Sequence, residues 1–312
     1  MTKVFIDGKA GTTGLKIYDR LTAREDIELL ILPEELRKDA QARRKMLNDA
    51  DIAFLCLPDA ASREAVALID NPDTVVIDTS TAHRTNPDWA YGFPELSANF
   101  FEKVKTSKRI AVPGCHASGF IALVYPLVEA GAISKDALLS CFSLTGYSGG
   151  GKTMIADYEN EQRDSLLDSP RQYGIAQAHK HIPEMCAVSG IENAPVFCPT
   201  VADFYSGMQV TVPLHKSQLN VGFTVDSLKE IYKKKYSDSM VTYVESSDES
   251  GFLATNVLAG CDNMQVSVFG NEDRMILVAR YDNLGKGASG AAVECMNISL
   301  GIDKTTSLVL GK

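Results

Sequence analysis

No hydrophobic run in this 312-residue chain exceeds six residues, and the two longest, Ile52–Leu57 and Phe120–Tyr125, run directly into a proline. A bilayer needs roughly 20 consecutive apolar residues, so no membrane-spanning helix is expected. An N-terminal apolar core of the secretory kind is missing too, because Asp7 and Lys9 interrupt the first ten residues; the expected location is the cytoplasm. Clusters of Lys and Arg interleaved with aromatics are also lacking, and 31 basic against 40 acidic side chains leave a formal charge of -9. That balance argues against a nucleic-acid partner. Seven cysteines lie between Cys56 and Cys295 without one Cys-x-x-Cys pair. An odd number in a chain of this size reads as reduced thiols, one of them a candidate reactive group, and not as a disulfide framework. Low-complexity linkers and internal repeats are absent. With 45% hydrophobic and 23% charged residues, the composition excludes disorder and suits one large or two modest domains.

The N-terminal third repeats one grammar: a short apolar run, an abrupt stop at small or polar residues, then helical spacing. Val4-Phe5-Ile6 leads into Asp7–Gly14, after which Leu15, Tyr18 and Leu21 recur at helical spacing. Ile52–Leu57 stops at Pro58-Asp59, Val75-Val76-Ile77 at Asp78-Thr79-Ser80, and Ile110-Ala111-Val112 at Pro113-Gly114-Cys115. Uninterrupted apolar runs suit strands buried on both faces of a parallel sheet, so the expected class is α/β. Ligands gather at the carboxyl ends of such strands, and these loops are expected to line one crevice.

Beyond about residue 137 the texture changes. Leu219–Val225, Gln265–Phe269 and Met275–Tyr281 alternate partially and predict antiparallel strands, the last two joined by a hairpin at Gly270–Asp273. Ser227-x-x-Glu230 has the form of a capping box opening a helix that ends in Lys233-Lys234-Lys235; that lysine run is read as a solvated helix end. Gly285–Ala292 is rich in small residues before Val293, Met296 and Leu300 resume helical spacing, which predicts a terminal helix packed closely on a flat surface and returning to the first domain.

Gly8, Gly11 and Gly14 follow a predicted strand and open a predicted helix. Backbone amides at a helix N-terminus can hold a pyrophosphate there, although G-x-x-G-x-x-G is a variant spacing that also fits a plain strand-to-helix turn. After the second strand, Glu34 offers a ribose contact, while Arg37, Lys38, Arg43 and Arg44 offer a 2'-phosphate contact; NAD and NADP both stay open at this point. Gly146–Thr153 matches the Walker A pattern, yet no apolar strand ending in Asp follows it. Val75-Val76-Ile77-Asp78 has that form but lies upstream, so a flexible glycine loop is the preferred reading over an ATPase.

Cys115 stands at a strand-to-helix junction, with Ile121, Val124 and Val128 continuing the helix. A helix N-terminus lowers a thiol pKa and favours the nucleophilic thiolate, whereas a cysteine elsewhere is more often a small buried hydrophobe. A proton carrier is available in His179-Lys180-His181-Ile182-Pro183-Glu184, which holds two of the five histidines. A metal site built from His179, His181 and Glu184 is the competing reading. It ranks lower, because a helix-terminal thiol makes a metal unnecessary for acyl chemistry; no metal is expected.

The sequence resembles the N-acetyl-gamma-glutamyl-phosphate reductase family, and more closely its shorter (type 2) subgroup. The resemblance is carried, in order, by Gly8–Gly14, Asp78–Arg84, Tyr91–Leu96, Pro113-Gly114-Cys115, Ser148–Gly151, His179-x-His181-x-Pro183-Glu184 and Asp282–Ala288. It departs from the longer relatives at His116, where they carry an aromatic residue, and in the short segment after Ile31. What it implies is a Rossmann NAD(P)-binding domain, residues 1–116 completed by a C-terminal helix 285–312, and an α+β catalytic and oligomerisation domain, residues 117–284, with a mainly antiparallel sheet. The implied activity is NADPH-dependent reduction of N-acetylglutamyl 5-phosphate through a cysteine thioester, as in arginine biosynthesis. Its implied residues are Cys115 as nucleophile and His179 for proton transfer; Arg84, His181 and Glu184 for binding or orienting substrate; and Gly8, Gly11, Thr12, Thr13, Gly14, Arg37, Ser80, Gly149 and Asn283 for the cofactor. A homo-oligomer, dimer or tetramer, is expected. Two rivals stay in view: a related acyl-phosphate reductase such as aspartate-semialdehyde dehydrogenase, and a dinucleotide-binding regulatory protein without turnover.

Overall fold

The computed structural model describes residues 1–237 and 239–311. Lys312, the end of the expected terminal segment, and Asp238, within the expected second domain, lie outside the described residues. The chain divides into two compact units, one formed by Met1–Gly114 with Ala288–Leu308, the other by Cys115–Gly287 with the residues from Val309.

In the first unit the elements run β1 (Thr2–Asp7), α1 (Thr12–Thr22), β2 (Ile27–Leu30), α2 (Ala40–Asp49), β3 (Ile52–Leu55), α3 (Asp59–Ala67), β4 (Val75–Asp78), β5 (Ala90–Tyr91), α4 (Ala98–Thr106) and β6 (Arg109–Ala111). The strands form a parallel sheet in the order β2-β1-β3-β4-β6-β5. Successive residues of one strand feed opposite cores: Val4, Ile6, Ile52 and Phe54 pack in one apolar cluster, Phe5, Ala53 and Leu55 in another. Burial on both faces is why these strands read as unbroken apolar runs. The strand order reverses between β1 and β3, the point at which an open parallel sheet opens its ligand crevice.

The second unit continues with α5 (Cys115–Glu129), β7 (Ser140–Gly146), α6 (Gly151–Glu159), β8 (Arg171–Gln172), α7 (Ile182–Ser189), β9 (Val196–Ala202), β10 (Met208–His215), α8 (Val225–Lys235), β11 (Val241–Tyr243), β12 (Met264–Gly270) and β13 (Arg274–Tyr281). Its sheet has the order β11-β12-β13-β10-β7-β9-β8. It is mixed: β11–β12 and β7–β9 are parallel, while β12–β13, β10–β13, β7–β10 and β8–β9 are antiparallel. The hairpin at Gly270–Asp273 joins β12 to β13, with Gly270 at a φ of 115° that favours glycine. Leu219–Val225 is not a strand. Leu219 makes one isolated bridge to Ile133, and Thr224 caps α8 through a reciprocal box with Ser227; the helix therefore opens one turn before the expected Ser227–Glu230 box. The final helix, α9 (Gly290–Ser299), belongs to the first unit, where Ala291, Ala292, Cys295 and Met296 join the core beside β1 and β4. Gly92 makes room for it, since a Cβ there would lie 2.9 Å from Cys295 Sγ.

α5 is almost wholly buried and contains Pro126. Proline lacks the N–H that would bond the Ala122 carbonyl one turn back, and its ring disturbs the neighbouring bond. Two tyrosines of the α8 segment repair this: Tyr236 donates to Ala122 O at 2.6 Å and Tyr232 to Leu123 O. Removing such a hydroxyl leaves a buried carbonyl unsatisfied, at a cost of about 1–3 kcal/mol. Tyr236→Phe is therefore expected to lower the denaturant midpoint by that amount of stability with an unchanged m-value, measured by urea unfolding.

Candidate active site

At the end of β1, Gly8 has a φ of 86°, and a Cβ would lie 2.3 Å from Cys56 O; at Gly14 a Cβ would lie 2.6 Å from Gly8 O. Both glycines are thus required for the loop to fold back on β3. Gly11 is the N-cap of α1 and no side chain caps the helix. The first-turn amides of Thr12, Thr13 and Gly14 are consequently left without a side-chain partner, an arrangement suited to a phosphate. Ser80 sits at the end of β4, its Oγ donating to Asp78 Oδ2 at 2.8 Å, while His83 Nδ1 lies 2.6 Å from the same oxygen. Arg84 donates through Nε to Val112 O and through Nη2 to Thr79 O, so it is tethered to the backbone where β4 and β6 end.

Of the basic residues expected to offer a 2'-phosphate contact, Arg43 is otherwise engaged: its Nε and Nη2 both donate to Asp7 Oδ2, at 3.0 and 2.7 Å. Burial raises the Asp7 pKa, and the guanidinium opposes that rise. Arg44 pairs with Asp70. Arg37 is exposed and pairs with Glu34 at 2.5 Å.

In the second unit Cys115 is the first residue of α5 and half-buried. Its carbonyl accepts a hydrogen bond from Tyr281 Oη at 2.5 Å, and that oxygen accepts one from Gly119 N at 3.0 Å. A Cβ on Gly119 would lie 2.7 Å from the same hydroxyl, so glycine is what lets the helix start close to β13. The other thiols are poor nucleophiles by environment where a shift is resolved. Burial pushes Cys56 up to about 12 and raises Cys141, Cys186 and Cys261.

The histidine segment comes to the same place. His181, buried, is the N-cap of α7, and Glu184, also buried, lies in that helix's first turn. The ring centroids of His179 and His181 are 4.8 Å apart, and those of His116 lie 5.6 and 5.5 Å from them. The His181 backbone N–H donates to His179 Nδ1 at 3.3 Å. Burial first, and the Lys180 charge second, lower the His179 pKa. Cys115, His116 and His181 place one ligand atom each within 4.8 Å of one another. That set differs from the His179, His181 and Glu184 set read from the sequence. His116 reaches Ser143 Oγ through Nδ1 and Tyr173 Oη through Nε2, both at 2.6 Å, so its ring nitrogens already have partners.

The glycine loop between β7 and α6 is joined to the segment between β9 and β10. The N–H groups of Gly146, Tyr147 and Ser148 are bonded to the carbonyls of Gly207, Phe204 and Tyr205, and Lys152 is exposed. Gly149 instead lies beside Asn283, whose Nδ2 donates to Ser148 Oγ at 2.9 Å and whose Oδ1 accepts from Gly207 N at 2.9 Å. His116 as a group at the site, Tyr173, Tyr281 and Ser143 were not singled out from sequence. Only the position of His116 next to Cys115 gave a signal for any of them.

The family described as semialdehyde dehydrogenase, NAD binding domain, matches residues 3–104, and the semialdehyde dehydrogenase dimerisation domain matches residues 115–283. A relative from Rhizobium meliloti (strain 1021), named N-acetyl-gamma-glutamyl-phosphate reductase, is 45% identical over 96% of this chain and 98% of its own. Another from Nostoc sp., named N-acetyl-gamma-glutamyl-phosphate reductase 2, is 42% identical over 98% and 99%. Among solved structures, aspartate semialdehyde dehydrogenase II from Vibrio cholerae superposes with a TM-score of 0.71 at 14% identity, covering 96% of this chain and 98% of that one. The enzyme from Candida albicans, solved with NADP, gives 0.66 at 15% identity, covering 96% and 98%. These two structures share the fold.

His116 is buried, and burial, then the charges of His179 and Lys180, push its pKa down to about 3. The unfolded chain takes up this proton near pH 6.5 and the folded chain refuses it, so stability falls as pH drops below 6.5, by about 1.4 kcal/mol per pH unit for such a group. His116→Gln is expected to flatten the dependence of unfolding free energy on pH between 6.5 and 5. An unchanged slope would show that the ring is not kept neutral.

Proposed function

The chain belongs to the family of N-acetyl-gamma-glutamyl-phosphate reductases, a branch of the semialdehyde dehydrogenases, and we propose that it reduces N-acetylglutamyl 5-phosphate to the 5-semialdehyde and inorganic phosphate with NADPH. The observation that carries this reading is a half-buried thiol opening a buried helix, gathered with three imidazoles. Cys115 Sγ attacks the acyl carbon; the carbon–oxygen bond to phosphate breaks, and a thioester remains. NADPH, when bound, would supply the hydride that reduces it. His179 accepts an N–H at Nδ1, so its neutral ring carries the proton on Nε2, a donor to the oxyanion that forms on the thioester carbon. Collapse of that oxyanion breaks the carbon–sulfur bond, frees the aldehyde and returns the thiolate. An acyl phosphate already carries a good leaving group, so placement and charge stabilisation are what the protein has to add.

Arg84 provides positive charge for the substrate phosphate, supported by its tether at the carboxyl ends of β4 and β6. His181 contacts substrate, and Glu184 orients the histidine segment from the first turn of α7. Gly8, Gly11, Thr12, Thr13 and Gly14 hold the pyrophosphate, a role supported by the uncapped N-terminus of α1 and a loop that a Cβ would fill. Arg37 takes the 2'-phosphate, Asn283 takes the nicotinamide amide, and Ser80 and Gly149 are further cofactor contacts. In this reading residues 1–116 with the terminal segment 285–312 form the NADP-binding domain, and residues 117–284 form the catalytic and oligomerisation domain. The seven cysteines are free thiols, in keeping with a cytoplasmic enzyme. No described helix is long and apolar enough to cross a membrane.

One face of the second sheet supports a dimer or tetramer of this chain. Residues pointing away from α5 include Phe142, Val196 and Ile276, exposed by 52%, 57% and 36%. Exposed apolar side chains gathered on one sheet face mark an association surface, and the matched family domain is one of dimerisation. Phe142→Asp is expected to lower the mass measured by sedimentation equilibrium; an unchanged mass would move the interface elsewhere.

Purified protein is expected to consume NADPH with N-acetylglutamyl phosphate and much more slowly with aspartyl phosphate. Cys115→Ser is expected to reduce turnover by at least about a thousandfold while NADPH binding, followed by cofactor fluorescence, persists. Robust turnover by the serine variant would remove the covalent mechanism.

A further inference from the structure

We propose that His116 is a positioning residue that sets the direction of the Tyr173 hydroxyl proton, and that this hydroxyl donates to the sulfur of Cys115 or to the oxyanion formed on its thioester. This inference rests on the reductase reading for its kinetic consequence, although the hydrogen-bonded group itself does not depend on it.

The imidazole is held between two hydroxyls. Nδ1 faces Ser143 Oγ on β7 and Nε2 faces Tyr173 Oη just after β8, each at 2.6 Å, with 3% of the residue exposed. A neutral imidazole has one donor and one acceptor nitrogen, so the two contacts must run in opposite senses. Either the Ser143 hydroxyl donates to Nδ1 and Nε2–H donates to Tyr173, or Nδ1–H donates to Ser143 and Tyr173 donates to Nε2. In the first state the tyrosine keeps its own proton for another acceptor; in the second that proton is spent on the ring.

Three observations point to Cys115 as the other acceptor. His116 follows Cys115 on the first turn of α5, Cys115 and His116 hold ligand atoms within 4.8 Å of one another, and the charge of Cys115 adds to burial in raising the Tyr173 pKa. A tyrosine whose pKa is raised stays protonated and is a donor. The second tyrosine near the thiol cannot substitute, because Tyr281 donates to the Cys115 carbonyl. His179 and His181 stand against the His116 ring, and Phe197 closes it edge-on at 5.4 Å between ring centroids. The ring is thus enclosed by aromatic neighbours, and a shift of one proton between its two nitrogens is the change on which the proposal turns.

The test is a double-mutant cycle read in two ways. Tyr173→Phe and His116→Phe are each expected to lower kcat by about ten- to a hundredfold with KM within about threefold, as loss of one aimed donor does. The double variant is expected to fall no further than either single one. His116→Gln, which keeps one donor and one acceptor, is expected to recover at least part of the loss. The second reading is the rate of Cys115 alkylation by iodoacetamide, which needs no substrate and should change in the same non-additive way. Additive losses, or a Tyr173→Phe enzyme with unchanged kcat and alkylation rate, would overturn the proposal. If wild-type protein shows no NADPH-dependent reduction, the reductase reading fails, while the alkylation cycle still decides the coupling. Should His116→Phe not fold, Tyr173→Phe compared with His116→Gln carries the test.

Discussion

The site depends on a helix that cannot move. α5 is buried along nearly its whole length, and every backbone group at such a position needs a partner. The partners come from other elements of the same unit. Tyr281 of β13 accepts from Gly119 N and donates to Cys115 O, and Tyr232 and Tyr236 satisfy the carbonyls disturbed by Pro126. Three tyrosine hydroxyls thus fix the helix at its first turn and its middle. A nucleophile has to be held within fractions of an ångström of its target to gain from proximity, and a cysteine at the mouth of a tethered helix meets that requirement.

The same logic separates the two glycine-rich loops. By spacing alone, Gly146–Thr153 is the closer match to a phosphate-binding pattern and Gly8–Gly14 is the variant. What separates them is the backbone that each loop closes on. At Gly146, Tyr147 and Ser148 the amides are consumed by the 204–207 backbone, while neither α1 nor α6 has a side-chain cap. A glycine pattern records only that backbones approach closely. At Gly8 the approach is to β3, at the strand-order reversal of a parallel sheet; at Gly146 it is to a neighbouring chain segment, with a Cβ 2.6 Å from Phe204 O.

Legibility in the sequence followed the range of the interactions. The parallel sheet was readable because Val4–Ile6, Ile52–Leu57, Val75–Ile77 and Ile110–Val112 are apolar on both faces, and the hairpin because Gly270–Asp273 carries local turn chemistry. Leu219–Val225 misled, because its partial alternation has no partner strand and Thr224 serves a helix cap instead. The sign of strand pairing was unreadable: β7 and β9 run parallel, although each alternates as an antiparallel strand would. Cys115 and the His179–Glu184 segment could be named because their meaning lies in helix ends and residue type. Ser143 and Tyr173 could not, since nothing local distinguishes them from other hydroxyls, and they matter only because β7 and the turn after β8 bring them to His116.

Arg43 shows the cost of reading charge without geometry. A guanidinium in the segment that follows the second strand invites a phosphate, yet its Nε and Nη2 both meet Asp7 Oδ2. Asp7 is buried, and an unpaired buried carboxylate is far more costly than the loss of one prospective ligand contact. The fold's own requirement therefore claims this arginine first. Arg37, exposed and balanced only by Glu34 across one helical turn, makes a pair worth little in water, and a doubly charged phosphate can displace such a partner at small expense. Between two basic residues close in sequence, the more solvated is the better candidate for recognising a ligand, because its present bond is the weaker one.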